Sequence, residues 1–270
     1  MRKIAFIGVG NMAGAILQGI LKSGIADHAH LILSDRFPEK CTALVEKGAT
    51  LAASPAEAAA LADCVVLSVK PQNFPEILPE LAEVAGIEQK LIITIAAGIS
   101  VDTVKSALHG ACVVRVMPNT PMLIGRGVSV ICRADDVPPA DFAFAREIFE
   151  ASGSVTLVDE SEMNSIISVT GSSPAYVFAF INAICEGAKA QGLDGDALLP
   201  AICDVVIGSA ALLKSGSLTP EEQIKIVTSK GGTTERAMNV LYQRDMTAMV
   251  VDAMKACTAR AEEMGRATRD

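Results

Sequence analysis

A succession of uninterrupted apolar runs constrains the first half of this chain more than any other feature. The runs cover residues 3–8, 30–35, 64–69, 91–95 and 112–117, with a shorter one at 49–52. Most are continuously apolar rather than alternating. That is the pattern of strands buried on both faces, as in a parallel sheet covered by helices on each side. Helical stretches separate them at 12–22, 38–47 and 55–61, with Ser54 placed to cap the last. Two further strands are expected at 128–132 and 155–158, around a helix at 139–151. The expected fold class is α/β, with a doubly wound, mostly parallel sheet ending near residue 158. Beyond Asp159 the β signal stops, and helices are expected at 160–169, 174–191, 196–214, 220–226, 234–242 and 244–265. The expected division is therefore 1–158 for the α/β domain and 159–270 for an all-helical one.

The helical part raises a question of solvent. Between residues 163 and 213 the charged side chains are Glu186, Lys189, Asp194, Asp196 and Asp204, and residues 163–185 carry none. Such a stretch is long enough to cross a bilayer. It also contains Asn164, Ser165, Ser168, Thr170 and the cluster Gly171-Ser172-Ser173-Pro174, which reads as a loop that hydrocarbon would not tolerate. A buried helix preceded by a loop is expected, with part of the apolar surface covered by another chain. The chain has eight Phe, two Tyr and no Trp. Small residues such as Ala179, Ala183, Gly187, Gly208 and Ala211 would then let helices approach closely. A net charge of −8 gives no reason to expect nucleic acid or an anionic membrane as a partner. Seven scattered cysteines without a C-x-x-C pair read as small buried hydrophobes in a reducing compartment. Arg2 and Lys3 lead directly into a strand, so no signal peptide is expected and the cytoplasm is the expected location.

Gly8-Val9-Gly10-Asn11-Met12-Ala13 fits G-x-G-x-x-A between a strand and a helix. The first glycine allows the tight turn. The second lets a pyrophosphate approach the backbone, and the small third residue lets helix and strand pack closely. The α/β domain is thus of the Rossmann type. The end of the second strand, Ser34-Asp35-Arg36, bears on the choice of nucleotide. Asp35 could accept from a ribose 2′-hydroxyl, as NAD requires, whereas Ser34 and Arg36 could hold the 2′-phosphate of NADP. NADP(H) is the preferred expectation, because Arg36 has no evident fold role so close to a strand end, and NAD(H) stays open. Further loops at strand C-termini are Ser68-Val69-Lys70-Pro71-Gln72, Ala96-Ala97-Gly98 and Met117-Pro118-Asn119-Thr120-Pro121.

Absences narrow the chemistry. Histidine occurs at 28, 30 and 109 alone, all in the α/β part, and no metal-ligand spacing appears. None of lysines 189, 214, 225, 230 and 255 has an Asn four residues on. Hydride addition to an already protonated C=N bond fits, because it needs positioning and hydrogen bonding rather than a strong base. Gly171–Tyr176 reads as a helix start, with Ser173 as N-cap and Pro174 in the first turn. Thr228-Ser229-Lys230-Gly231-Gly232-Thr233-Thr234 can turn several backbone N–H groups toward one point, which suits a substrate carboxylate.

Taken together, Phe6–Ala13, Ser68–Gln72, Ala96–Gly98, Arg115-Val-Met-Pro-Asn-Thr-Pro121, Gly171–Val177 and Gly231–Thr234 resemble the pyrroline-5-carboxylate reductases. These enzymes make L-proline by reducing a cyclic imine. The resemblance implies a helical dimerisation domain interleaved with its twin and an active site at the subunit interface. It implies that Gly231, Gly232, Thr233 and Thr234 bind substrate, and that Thr234 hydrogen-bonds the ring nitrogen as the catalytic group; Ser172, from the Gly171–Tyr176 motif, is a further expected substrate-binding residue. It implies a cofactor held by the turn with Gly8, Gly10, Asn11 and Met12, by the loop with Val69, Lys70 and Pro71, and by Ala96, Ala97 and Gly98. Ser34 and Arg36 at the end of the second strand, and Asn119 on a strand-end loop, are expected cofactor residues from their positions, since the residues after the second strand vary within the family. Lys230 stands where the family usually has Pro. The expected partners are 1-pyrroline-5-carboxylate and a second copy of the chain, with larger oligomers open. Competing readings are a reductase of another cyclic imine or 2-keto acid, and a redox sensor that holds NADP(H) without turnover.

Overall fold

The computed structural model describes residues 1–133 and 137–266. The chain divides into two compact units. One contains residues 1–174 together with the segment from Lys255 onward, and the other contains Ala175–Met254.

The first unit is built on an eight-stranded sheet. Its strands are β1 (Ile4–Ile7), β2 (Leu31–Ser34), β3 (Thr50–Leu51), β4 (Cys64–Leu67), β5 (Leu91–Thr94), β6 (Cys112–Met117), β7 (Gly127–Arg133) and β8 (Gly153–Leu157), in the order β3-β2-β1-β4-β5-β6-β7-β8. All neighbours are parallel except β6 and β7, which run antiparallel. The continuous apolar runs are explained by burial on both faces. Ile4 and Phe6 of β1 enter one core and Ala5 and Ile7 enter the other, because successive side chains point to opposite faces. The first core is closed by α1 (Asn11–Ser23), α2 (Thr42–Val45) and α6 (Pro139–Glu150). The second is closed by α3 (Pro55–Leu61), α4 (Phe74–Ala82) and α5 (Val101–Ala107). Ser54 caps α3 as expected, accepting from the Glu57 N–H at 3.1 Å. Cys41, Cys64 and Cys132 are buried. Burial pushes the thiols of Cys64 and Cys132 up, the latter to about 12.

The entry to the helical part departs from expectation. Residues 171–174 do not form a loop, and Ser173 is not a capping residue. Helix α7 (Met163–Ile166) runs through a π-helical turn at Ile167–Gly171 into α8 (Ser173–Ala190). The Ser172 N–H donates to the Ile167 carbonyl at 2.7 Å, the wider spacing of a π turn. Pro174 falls in the first turn of α8, where a missing N–H removes no helical bond.

The second unit is helical and comprises most of α8, then α9 (Leu199–Ser215), α10 (Pro220–Val227), α11 (Thr233–Gln243) and the start of α12 (Met246–Arg266). It contrasts with the sheet unit in burial. Phe178, Val205, Ile207, Val227 and Met249 are each more than half exposed in the single chain. Most of the α8 helix is left uncovered by its own chain, with Cys185 and Ala188 buried, in keeping with an apolar surface expected to be covered by another chain. An apolar surface of this extent marks an interaction face.

Candidate functional site

The turn after β1 is shaped by its glycines. Gly8 has φ +92°, and a Cβ there would lie 2.8 Å from Val69 Cγ1 and 3.0 Å from the Ser68 backbone. Its N–H donates to the Ser34 carbonyl at 2.7 Å, and the Ser68 hydroxyl donates to the Gly8 carbonyl at 2.6 Å. The turn is thereby fastened to both neighbouring strands. A Cβ on Gly10, by contrast, would meet open space. Gly10 precedes α1 in extended conformation and no side chain caps the helix. The first N–H groups of a thirteen-residue helix are thus left for a ligand, at its positive end. Ala13 is buried in the core beneath.

A cavity of about 520 Å³ opens here, over the C-terminal ends of β1, β2 and β4. Its lining includes Gly8, Gly10, Ser34, Asp35, Arg36, Lys40, Val69 and Lys70. The position is that of ligands in doubly wound sheets, where strand order reverses. Open space at Gly10, the uncapped helix and the cations on the wall together fit a dinucleotide.

Asp35, on the cavity wall, is bonded to the backbone of the turn. Its side chain is 8% exposed. Oδ2 accepts from the Val9 N–H at 2.6 Å, and Oδ1 accepts from the Phe37 N–H at 2.9 Å and from Lys40 Nζ at 3.3 Å. Burial alone would raise the carboxyl, but these hydrogen bonds outweigh it and hold the group below the usual carboxylate range. Asp35 therefore braces the glycine turn. Arg36, next along, is exposed at the cavity wall, with Glu76 Oε2 at 3.6 Å from Nη2. Lys40 also lies over the Phe37 ring, 4.6 Å from its centroid.

Other expected cofactor residues are placed differently. Asn11 and Met12 open α1, and Pro71 begins the short 3-10 turn after Lys70. Ala96, Ala97, Gly98 and Asn119 are not in the cavity lining. Gly98, with φ +80°, packs on the end of α12, where a Cβ would lie 2.5 Å from the Ala261 carbonyl oxygen. The Asn119 side chain is engaged within the protein. Its Nδ2 donates to the Thr170 carbonyl at 3.0 Å and its Oδ1 accepts from the Val128 N–H at 2.8 Å. The amide is committed to holding the π turn against the start of β7.

A second tether on the same segment has no signal in the local sequence. Arg115, 5% exposed, donates to Glu160 Oε1 at 3.3 Å and to Asn164 Oδ1 at 2.7 Å. Glu160 Oε1 also accepts from the Val101 N–H at 2.6 Å, at the start of α5. Burial draws the guanidinium below its ordinary value and Glu160 opposes that. Ser172 follows the π turn, its Oγ 3.3 Å from Cys257 Sγ.

In the helical unit, Gly231 has φ +74°, and a Cβ on Gly232 would lie 2.5 Å from Ser229 Oγ. The left-handed backbone favours glycine at 231, and the close Ser229 hydroxyl and carbonyl favour it at 232. Thr233 and Thr234 form the first turn of α11, with Gly232 at its uncapped start. The Gly231 N–H donates to Glu235 Oε2 at 2.9 Å, so the loop already holds one carboxylate. Among the described residues no group of His, Cys, Asp and Glu could hold a metal ion.

Comparison with known proteins places these features. Residues 160–264 match the family model described as pyrroline-5-carboxylate reductase dimerisation, and residues 3–98 match one described as NADP oxidoreductase, coenzyme F420-dependent. The pyrroline-5-carboxylate reductase of Vibrio alginolyticus is 37% identical over 266 residues, covering 97% of each chain. That of Escherichia coli is 33% identical over 267 residues, covering 98% of this chain and 99% of its own. Among solved structures, the Coxiella burnetii pyrroline-5-carboxylate reductase superposes with a TM-score of 0.86 at 30% identity, covering 97% and 98%. The Plasmodium falciparum pyrroline carboxylate reductase, solved with NADP bound, shares the fold with a TM-score of 0.90 at 24% identity over 98% of both chains. By this likeness over nearly its whole length, the chain belongs to the pyrroline-5-carboxylate reductase family.

Proposed function

We propose that this protein reduces 1-pyrroline-5-carboxylate to L-proline with NADPH. The observation that carries the reading is the Gly231–Thr234 loop at the uncapped start of α11, where the Gly231 N–H bonds the Glu235 carboxylate, a group that a substrate carboxylate would displace. Its backbone donors bind the substrate carboxylate, and the Thr234 hydroxyl hydrogen-bonds the ring nitrogen. The imine enters protonated, so the chain has no proton to abstract and needs no histidine. NADPH, when bound, supplies the hydride that completes the C–H bond of the product. Gly8, Gly10 and the α1 N-terminus hold the pyrophosphate, and Ser34 and Arg36 hold the 2′-phosphate. NAD(H) is the poorer cofactor, because Asp35 is already occupied by the Val9 and Phe37 N–H groups.

In this reading, residues 1–158 bind the nucleotide, and residues 159–270 bind substrate and pair with a second copy. The active site is completed at the subunit interface of a homodimer in the cytoplasm. The exposed apolar helices of the second unit support the pairing.

Cofactor oxidation on addition of the imine, followed in parallel with NADPH and NADH, tests the proposal. No oxidation with either would sink it. A panel with pyrroline-2-carboxylate and piperideine carboxylates excludes a neighbouring substrate. Thr234→Ala is expected to lower kcat about tenfold to a hundredfold with NADPH affinity unchanged. An unchanged kcat removes Thr234 from the chemistry.

A further inference from the structure

We propose that Glu76 is a specificity-determining residue that competes with the nucleotide's 2′-phosphate for Arg36. The inference rests on the reading of the cavity as the NADPH site. Three carboxylates line that cavity: Asp35, Glu76 and Glu80. Two are committed to the backbone. Asp35 accepts from Val9 and Phe37, and Glu80 Oε1 accepts from the Ala56 N–H at 3.0 Å. Glu76, in the first turn of α4, is paired with Arg36 across 3.6 Å.

Both members of the pair are exposed, at 74% and 71% of their side chains. Water and salt screen such a pair, so it is weak and can be broken. Arg36 is thus parked toward α4 when no nucleotide is present. A dianionic 2′-phosphate takes the guanidinium in a better, bidentate geometry, and Glu76 is left beside it as a like charge. A ribose 2′-hydroxyl neither displaces Glu76 nor suffers that repulsion. Glu76 therefore subtracts from NADPH binding and leaves NADH binding unchanged, which narrows the discrimination that Arg36 provides.

The test uses 2′,5′-ADP and 5′-AMP, fragments that differ in the 2′-phosphate alone, titrated calorimetrically into the full protein. Glu76→Gln keeps the shape of the side chain and removes its charge. It is expected to tighten 2′,5′-ADP roughly fivefold, equivalent to about 1 kcal/mol, and to leave 5′-AMP unchanged. The gain shrinks as salt is raised. The NADPH-to-NADH ratio of kcat/KM rises by the same factor. Arg36→Ala is expected to cut most of the preference for 2′,5′-ADP, leaving what Ser34 supplies, and Glu76→Gln added to it has a smaller effect than in the native background. Unchanged 2′,5′-ADP binding in Glu76→Gln overturns the proposal, as does equal tightening of both fragments. The titration involves no imine, so its failure leaves the reductase reading standing. A failed reductase reading shows instead as absent turnover with the fragment preference intact.

Discussion

Replacing Asp35 by Asn separates a brace from a reader of ribose. In the native protein each carboxylate oxygen accepts from a different backbone N–H, Oδ2 from Val9 and Oδ1 from Phe37. Asparagine keeps one acceptor and turns an amino group toward the other donor. One charge-assisted hydrogen bond is lost outright and a shielded N–H is left facing an N–H. A hydrogen bond to a charged group contributes about 1.5–3 kcal/mol. The Lys40 contact, with the lysine 44% exposed, adds at most ~1 kcal/mol. The expected loss is therefore about 2–4 kcal/mol, a fall in Tm of about 4–12 °C for a chain of this size. Thermal unfolding measures it, with fragment titration alongside. Because Val9 lies between the two glycines, 2′,5′-ADP and 5′-AMP should weaken together. The pH dependence follows from the depressed carboxyl. Its contribution is complete above the unfolded-chain value of about 4 and is lost as pH falls through the folded value. The gap between native protein and variant should therefore narrow in acid. An unchanged Tm with selective loss of 5′-AMP binding would show that Asp35 reads ribose, and would refute the reasoning.

Two other substitutions probe the framework. Arg115→Met removes the cation shared by Glu160 and Asn164 and should cost about 2–3 kcal/mol, below the usual figure for a broken buried pair because Glu160 is 31% exposed and keeps the Val101 N–H. A denaturant midpoint unchanged from the native protein would remove this tether from the fold's support. Gly98→Ala forces a side chain onto a left-handed backbone and into the Ala261 carbonyl, at a cost of about 2–5 kcal/mol. Hydrogen exchange should quicken first at the end of α12, and a uniform change across the sheet would contradict that placement.

The sheet was legible because its strands are buried on both faces. Burial of that kind writes itself as continuous apolar runs, and the runs at 64–69 and 91–95 contain β4 and β5. The glycine turn was legible because a positive φ and a close backbone approach admit few residue types, and both show at Gly8. The direction of Asp35 was not. Whether a residue at a strand end faces the ligand or the turn depends on which N–H groups the fold brings beside it, and Val9 lies 26 positions earlier. The same holds for Arg115 and Glu160, 45 positions apart. The role of the Asn119 side chain between two backbone groups was not legible either, since its loop at a strand end marks only where ligands bind in such sheets. Its partners, Thr170 and Val128, are set by tertiary packing. Gly171-Ser-Ser-Pro looked like a loop because its residue types favour turns. A π turn accommodates them within a nearly continuous helix.

The buried thiols give the molecule internal clocks. A sulfur reacts with an alkylating or disulfide reagent as thiolate, and Cys64 and Cys132 are held neutral by the same burial that shields them. Cys64 lies in β4 near the middle of the sheet, whereas Cys132 lies in β7 toward one edge. Each can be labelled only while its strand is open, so labelling rates report the free energy of local opening at two depths of one structure. The half-buried Cys257 on α12 supplies the faster reference within the same chain.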